Sequence, residues 1–124
     1  MKNPDYKDYV FDFEKLDVYK LSLDFVHKVI SIIKKLPSEL RFTIGGNLIR
    51  ASMSIPNNIA EGSGKRSKKE KARFYGYSLN SVRECIPSIS VLFGEKEISK
   101  AEMRDLRSDC VRIGSMLARL IQST

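Results

Sequence analysis

From Asn47 to Gly62 the chain reads NLIRASMSIPNNIAEG, a helix with very little polar circumference. Thr43, Asn47, Arg50, Ser54, Asn57 and Glu61 recur at steps of three and four, so they share one stripe. Ile44, Leu48, Ala51, Ile55 and Ile59 run beside it, and Phe42, Ile49, Met53 and Ala60 extend the apolar surface. A helix that is apolar around most of its girth must be buried on more than one side. The polar stripe then either faces water or finds its partners inside a bundle.

Three further windows carry apolar spacing of three and four, and no window alternates as a half-buried strand does. In the first, Leu16, Tyr19, Leu23, Val26, Ile30 and Ile33 follow an a/d pattern, and Pro37 closes the segment. Val18, Phe25 and Ile32 form a second apolar line on the far side of the same helix. A bundle core covers one line, so the other implies either a groove filled by the N-terminal arm or contact with another subunit. The second helix is expected from Glu39 to Glu61, with Ser38 as cap, Gly62 as terminator and a kink at Pro56.

The third helix opens on Ser67 and Glu70, a capping-box spacing. Tyr75, Leu79, Val82, Ile86, Ile89 and Phe93 make its core stripe, and Phe74, Ser78, Ser81, Cys85 and Ser88 an adjacent, mostly small line; Pro87 predicts a second bend. Ser99 and Glu102 repeat the cap before the last helix, whose a/d line is Met103, Leu106, Cys110, Ile113, Leu117 and Leu120. These spacings predict an all-α, single-domain, antiparallel up-down four-helix bundle, with helices at about 15–36, 39–61, 68–93 and 100–122. Residues 1–14 form an arm that is acidic through Asp5, Asp8 and Asp12 yet carries Tyr6, Tyr9, Val10, Phe11 and Phe13. Those aromatics predict docking onto the bundle or a neighbour.

A chain of 124 residues buries enough surface to fold without disulfides. Cys85 and Cys110 lie on different helices, outside any metal-ligand spacing, and read as reduced, buried thiols of a cytoplasmic protein. No apolar run approaches the roughly 20 residues of a membrane span. A di-iron bundle needs two Glu-x-x-His pairs, and the single histidine, His27, belongs to none. Neither a phosphate-binding loop, a dinucleotide fingerprint nor a nucleophile elbow is present. No metal, cofactor or catalytic residue is therefore expected. Arg50, Ser54, Asn58, Glu61, Ser81 and Glu84 are placed to meet in one polar cluster between two helices, which reads as structural, with catalysis the weaker alternative.

The formal charge of +7 is unevenly spread. Lys65, Arg66, Lys68, Lys69, Lys71 and Arg73 crowd the turn into the third helix, opposed only by Glu70. Cations at a helix N-terminus oppose the helix dipole, so local stability does not account for them. Phosphate contact through such residues is tolerant of sequence and weakened by salt. Only Phe74 and Tyr75 interleave with them, which makes base stacking a minor expectation. Lys28, Lys34 and Lys35, with Arg104, Arg107, Arg112 and Arg119, extend basic character onto the outer helices.

The segment Leu48 to Gly62 resembles the signature Q-L-x-R-A-x-x-S-I-P-x-N-I-A-E-G of the four-helix-bundle proteins encoded in 23S ribosomal RNA intervening sequences. Leu48, Arg50, Ala51, Ser54, Ile55, Pro56, Asn58, Ile59, Ala60, Glu61 and Gly62 match it, and Asn47 stands in place of Gln. RFYGYSLNSVREC is similar to the third-helix pattern, with Ser81 and Glu84 in place and Asn80 where Gly is usual. The resemblance runs from about Phe13 to Gln122 and extends to the accessory variability determinants of diversity-generating retroelements. It implies a homo-oligomer, typically a pentamer, and in the retroelement branch a basic accessory subunit that binds nucleic acid and a reverse transcriptase. With the basic segment, the leading expectation is a noncatalytic oligomer that binds RNA or DNA through Lys65 to Arg73. A protein-interaction scaffold without nucleic-acid binding is the rival expectation.

Overall fold

The computed structural model describes residues 6–124; Asp5 and the rest of residues 1–5 of the expected arm lie outside it. A 3-10 turn at Asp12–Lys15 leads into α1 (Asp17–Ile33), a one-turn α2 (Ser38–Arg41), α3 (Ile44–Ser63), α4 (Lys68–Gly94) and α5 (Lys100–Ser123). No strand occurs among the described residues. α1 packs on α3 and α5, and α4 packs on the same two, so the four long helices form a square whose connected neighbours lie side by side. This is the up-down bundle that the four apolar windows predict. The α3–α4 seam is the most extensive of the four, and α1–α5 the least.

Phe25, Leu48, Ile55, Ile59, Ile89, Leu92, Leu106, Ile113 and Leu117 fill the centre and are excluded from solvent. On α1 the core line is the one that sequence spacing left over. Val18, Ser22, Phe25, Val29, Ile32 and, just past the helix, Leu36 are buried; of the a/d line only Val26 is buried as well, whereas Leu16, Tyr19, Leu23, Ile30 and Ile33 sit half-buried on the flanks. Ser22 interrupts the apolar pattern of this line, and its hydroxyl is satisfied locally by donating to the Tyr19 carbonyl at 2.7 Å.

The single helix expected over 39–61 is divided. Thr43 leaves the helical region at φ −109°, ψ −88°, and α3 begins afresh at Ile44. Pro37 rather than Ser38 occupies the cap position of α2, without a side-chain bond. At the other end Gly62 does not terminate α3; the helix runs on to Ser63 with Gly64 as its cap, and Gly62 is buried inside the seam. α3 is continuous through Pro56.

Ser67 Oγ caps α4 by accepting from Glu70 N at 3.0 Å, but the Glu70 carboxylate turns to Arg73 instead of completing the box. The Ser99–Glu102 box at the start of α5 is reciprocal, at 2.9 and 3.0 Å. α4 ends where Lys96 takes φ 63°, with Lys96 N donating to Phe93 O and Glu97 N to Leu92 O. That paired closure is the one glycine usually makes.

Candidate nucleic-acid interface

The turn between α3 and α4 brings the end of one helix against the start of the next, which changes the electrostatic reading of its cations. Lys71 Nζ donates to the Ser63 carbonyl at 2.8 Å, so it satisfies an acceptor at the negative C-terminal end of α3. Lys65 lies 3.7 Å from Glu61 and 4.8 Å from the Phe74 ring centroid. Arg73 donates to Glu70 Oε2 from Nε at 3.1 Å and from a terminal nitrogen at 2.7 Å, and to the Tyr77 hydroxyl at 3.0 Å. Glu70 first, then Tyr77, raises the guanidinium pKa further. Phe74 and Tyr77 meet edge to face, 5.4 Å apart, with the Arg73 guanidinium 5.0 Å from the first and 5.7 Å from the second.

Local structure thus accounts for Lys65, Lys71 and Arg73. Arg66, Lys68 and Lys69 are exposed, and the side chain of none of them makes a hydrogen bond or ion pair among the described residues. They flank the Ser67 cap at the positive end of the α4 dipole.

The expected polar cluster is brought together only in part. Ser81 Oγ donates to Ser54 Oγ across the seam at 2.8 Å, and the Asn58 amide donates to Ser54 Oγ at 2.9 Å and to its carbonyl at 2.8 Å. Arg50 instead reaches Asn47 Oδ1 at 3.2 Å, Glu61 reaches Lys65, and Glu84 points to solvent. No ion pair joins Arg50 to either carboxylate. Thr43, Asn47, Arg50, Asn57 and Glu61 of the α3 stripe face water, with Ser54 half-buried. Among the described residues no group of three or more His, Cys, Asp or Glu is placed to hold a metal.

Sequence spacing missed one contact and left the place of another open. Lys28, grouped above with the basic surface, bridges α1 to α5 by pairing with Asp109 at 2.9 Å and Asp105 at 3.0 Å. Asp109 is buried, and its hydrogen bond, followed by that of Asp105, raises the Lys28 pKa. The arm, whose aromatics predict docking onto the bundle or a neighbour, lies beside the end of α3: Tyr9, Phe11, Asp12 and Phe13 border a depression of about 200 Å3 whose other wall is Ala60, Ser63 and Gly64. It adjoins a larger one, of about 410 Å3, lined by Asn57, Ala60, Glu61, Gly64 and Lys65. Aromatic rings more than 40 residues distant in sequence therefore border the basic turn.

A square of four antiparallel helices, with a serine-mediated α3–α4 seam and a cationic turn at one end, defines the class as a small helical-bundle protein. The chain belongs to the family of 23S rRNA-intervening sequence proteins, which matches it over residues 14–119. That is the family whose signature Leu48 to Gly62 resembles. The chain is also similar to the crystal structure, at 1.70 Å, of a protein with unknown function from the S23 ribosomal protein family of Bacteroides thetaiotaomicron. The TM-score is 0.78 at 22% identity, covering 84% of this chain and 97% of that one; a likeness at that identity concerns the fold. No curated protein matches the chain. No helix among the described residues is long and apolar enough to cross a membrane.

Proposed function

We infer that this protein is a noncatalytic, homo-oligomeric nucleic-acid binder that holds the phosphate backbone of RNA or DNA at the α3–α4 turn. The observation that carries this reading is the trio Arg66, Lys68 and Lys69, exposed and without partners at a helix end that disfavours positive charge. Lys65 and Arg73 flank the trio but are partly neutralised by Glu61 and Glu70. Three cations make a weak site. Repeating it around an oligomer, a pentamer by the resemblance, raises avidity without new contacts. The family description makes structured RNA the first ligand to test.

Fluorescence anisotropy with labelled RNA and DNA across a salt series checks the assignment. Wild-type binding should weaken as salt rises, with about three fewer counterions released per copy in Arg66→Glu/Lys68→Glu/Lys69→Glu. Unchanged affinity in that variant would remove the site. Absence of wild-type binding at low salt would favour the second reading, a protein-interaction scaffold of the kind that serves a reverse transcriptase. That reading draws on the outer face of α5, where Val111 is 70% exposed beside an open apolar groove of about 330 Å3 that includes Leu79, Ile86 and Gly114.

A further inference from the structure

Two rings at the edge of the basic turn lie outside the hydrophobic core. Tyr9 is 62% and Phe11 55% exposed, a solvation cost that a free-standing fold does not need. They are nevertheless fixed in place. The Phe11 amide donates to Glu14 Oε2 at 2.7 Å. The Phe11 ring is stacked on Phe13 at 5.6 Å and 19°, and Phe13 meets Tyr19 of α1 edge to face at 5.1 Å. Tyr9 stands edge-on to Phe11 at 5.2 Å. The result is a ladder of four rings, anchored in the bundle at one end and open to solvent at the other.

We propose that Tyr9 and Phe11 form a base-stacking platform, which makes the ligand single-stranded nucleic acid. This rests on the phosphate-binding reading of the adjacent turn and names its substrate class. The two depressions share Ala60 and Gly64, so they adjoin, with the rings bordering one and Lys65 and Glu61 the other. Asp12 lies at the ring end, and at the other the Lys65–Glu61 pair leads into the turn that carries the exposed Arg66, Lys68 and Lys69, which sorts the occupants by charge: phosphates are repelled from the arm and drawn to the turn, leaving bases for the rings. Every base offers a π-face, so such a platform is tolerant of sequence, but a base within a duplex is already stacked and cannot use it.

The test uses the full chain with fluorescein-labelled oligo-U and oligo-dT of roughly 15 nucleotides and a duplex of the same length. Tyr9→Leu/Phe11→Leu keeps apolar bulk and removes the π-faces. It should lower single-strand affinity about tenfold or more, with duplex affinity, circular dichroism and solution mass unchanged. Phe11→Trp should retain or strengthen single-strand binding. Arg66→Glu/Lys68→Glu/Lys69→Glu should weaken binding to both strand types. If the wild type binds duplex as tightly as single strand and Tyr9→Leu/Phe11→Leu matches it on both, the platform is refuted while the phosphate site stands. If the wild type binds neither, both readings fall. If the ring variant changes only the mass in solution, the arm is an assembly element and the platform is refuted.

Discussion

At Gly62 one methyl group decides how closely α3 and α4 approach. A Cβ there would lie 2.7 and 2.9 Å from two ring carbons of Tyr75 and 3.2 Å from Phe74 Cβ. Tyr75 is itself buried, so its ring cannot swing into solvent. Gly62→Ala should therefore cost about 1–3 kcal/mol through overpacking, against a gain in helix propensity of at most about 1 kcal/mol. Gly76, also mid-helix, has nothing within 4 Å of an added Cβ. Gly76→Ala should stabilise by about 0.5–1 kcal/mol. Urea midpoints of the two variants are expected to move in opposite directions; shifts of the same sign would contradict this account of Gly62. Sequence spacing marks Gly62 as a helix terminator because glycine is common there, and the ring that excludes a Cβ comes from a different helix.

The α3–α4 seam shows how a line of small residues becomes an interface. Ser78 Oγ donates to the Ile55 carbonyl at 2.8 Å and is fully buried, one turn from the Ser81–Ser54 bond. Ser78→Ala should lose about 1 kcal/mol with that hydrogen bond. Ser78→Val adds bulk and should lose about 2–4 kcal/mol in all, measured by denaturant unfolding. Equal losses in the two variants would mean that the helices are not in close contact there. The seam was legible because Ser78, Ser81 and Cys85 recur at helical spacing beside the apolar stripe. The core face of α1 was not, since Ser22 breaks Val18, Phe25, Val29 and Ile32 into a broken line while Leu16 to Ile33 reads without interruption. Nor was the break before α3, where Thr43 Oγ1 donates to the Glu39 carbonyl at 2.7 Å and Phe42 is left 78% exposed. Of the candidate site, the cations were legible as charge. Which of them are neutralised depends on where α3 ends, and the arm's rings reach the turn only through tertiary contact.

Over the whole molecule, buried thiols and charged groups each limit stability. Burial pushes the Cys85 and Cys110 thiols up to about 12 from 9.0. Above pH 9 the unfolded chain loses protons that the folded chain keeps, so stability falls as pH climbs from 9 toward 12. Lys28, raised above 10.5 chiefly by Asp109, acts with the same sign: its contribution is complete below 10.5 and is lost as pH passes its folded value. Unfolding free energy is expected to be level near neutrality and to decline above pH 9, with the earlier part of the decline absent from Cys85→Ala/Cys110→Ala. The basic turn works against stability in a different way. Lys68 and Lys69 occupy the first turn of α4 in a chain of net charge +7, where each reversal to an anion is worth about 0.3–1 kcal/mol at low salt. Lys69→Glu would also stand four residues before Arg73, a favourable spacing. Lys68→Glu/Lys69→Glu should therefore raise the Tm while weakening nucleic-acid binding, and the gain should shrink as salt screens the dipole. A stabilised but non-binding variant marks these lysines as residues whose presence only a ligand explains. A lower Tm would mean that they hold the turn together, and partnerless charge would no longer point to a phosphate site.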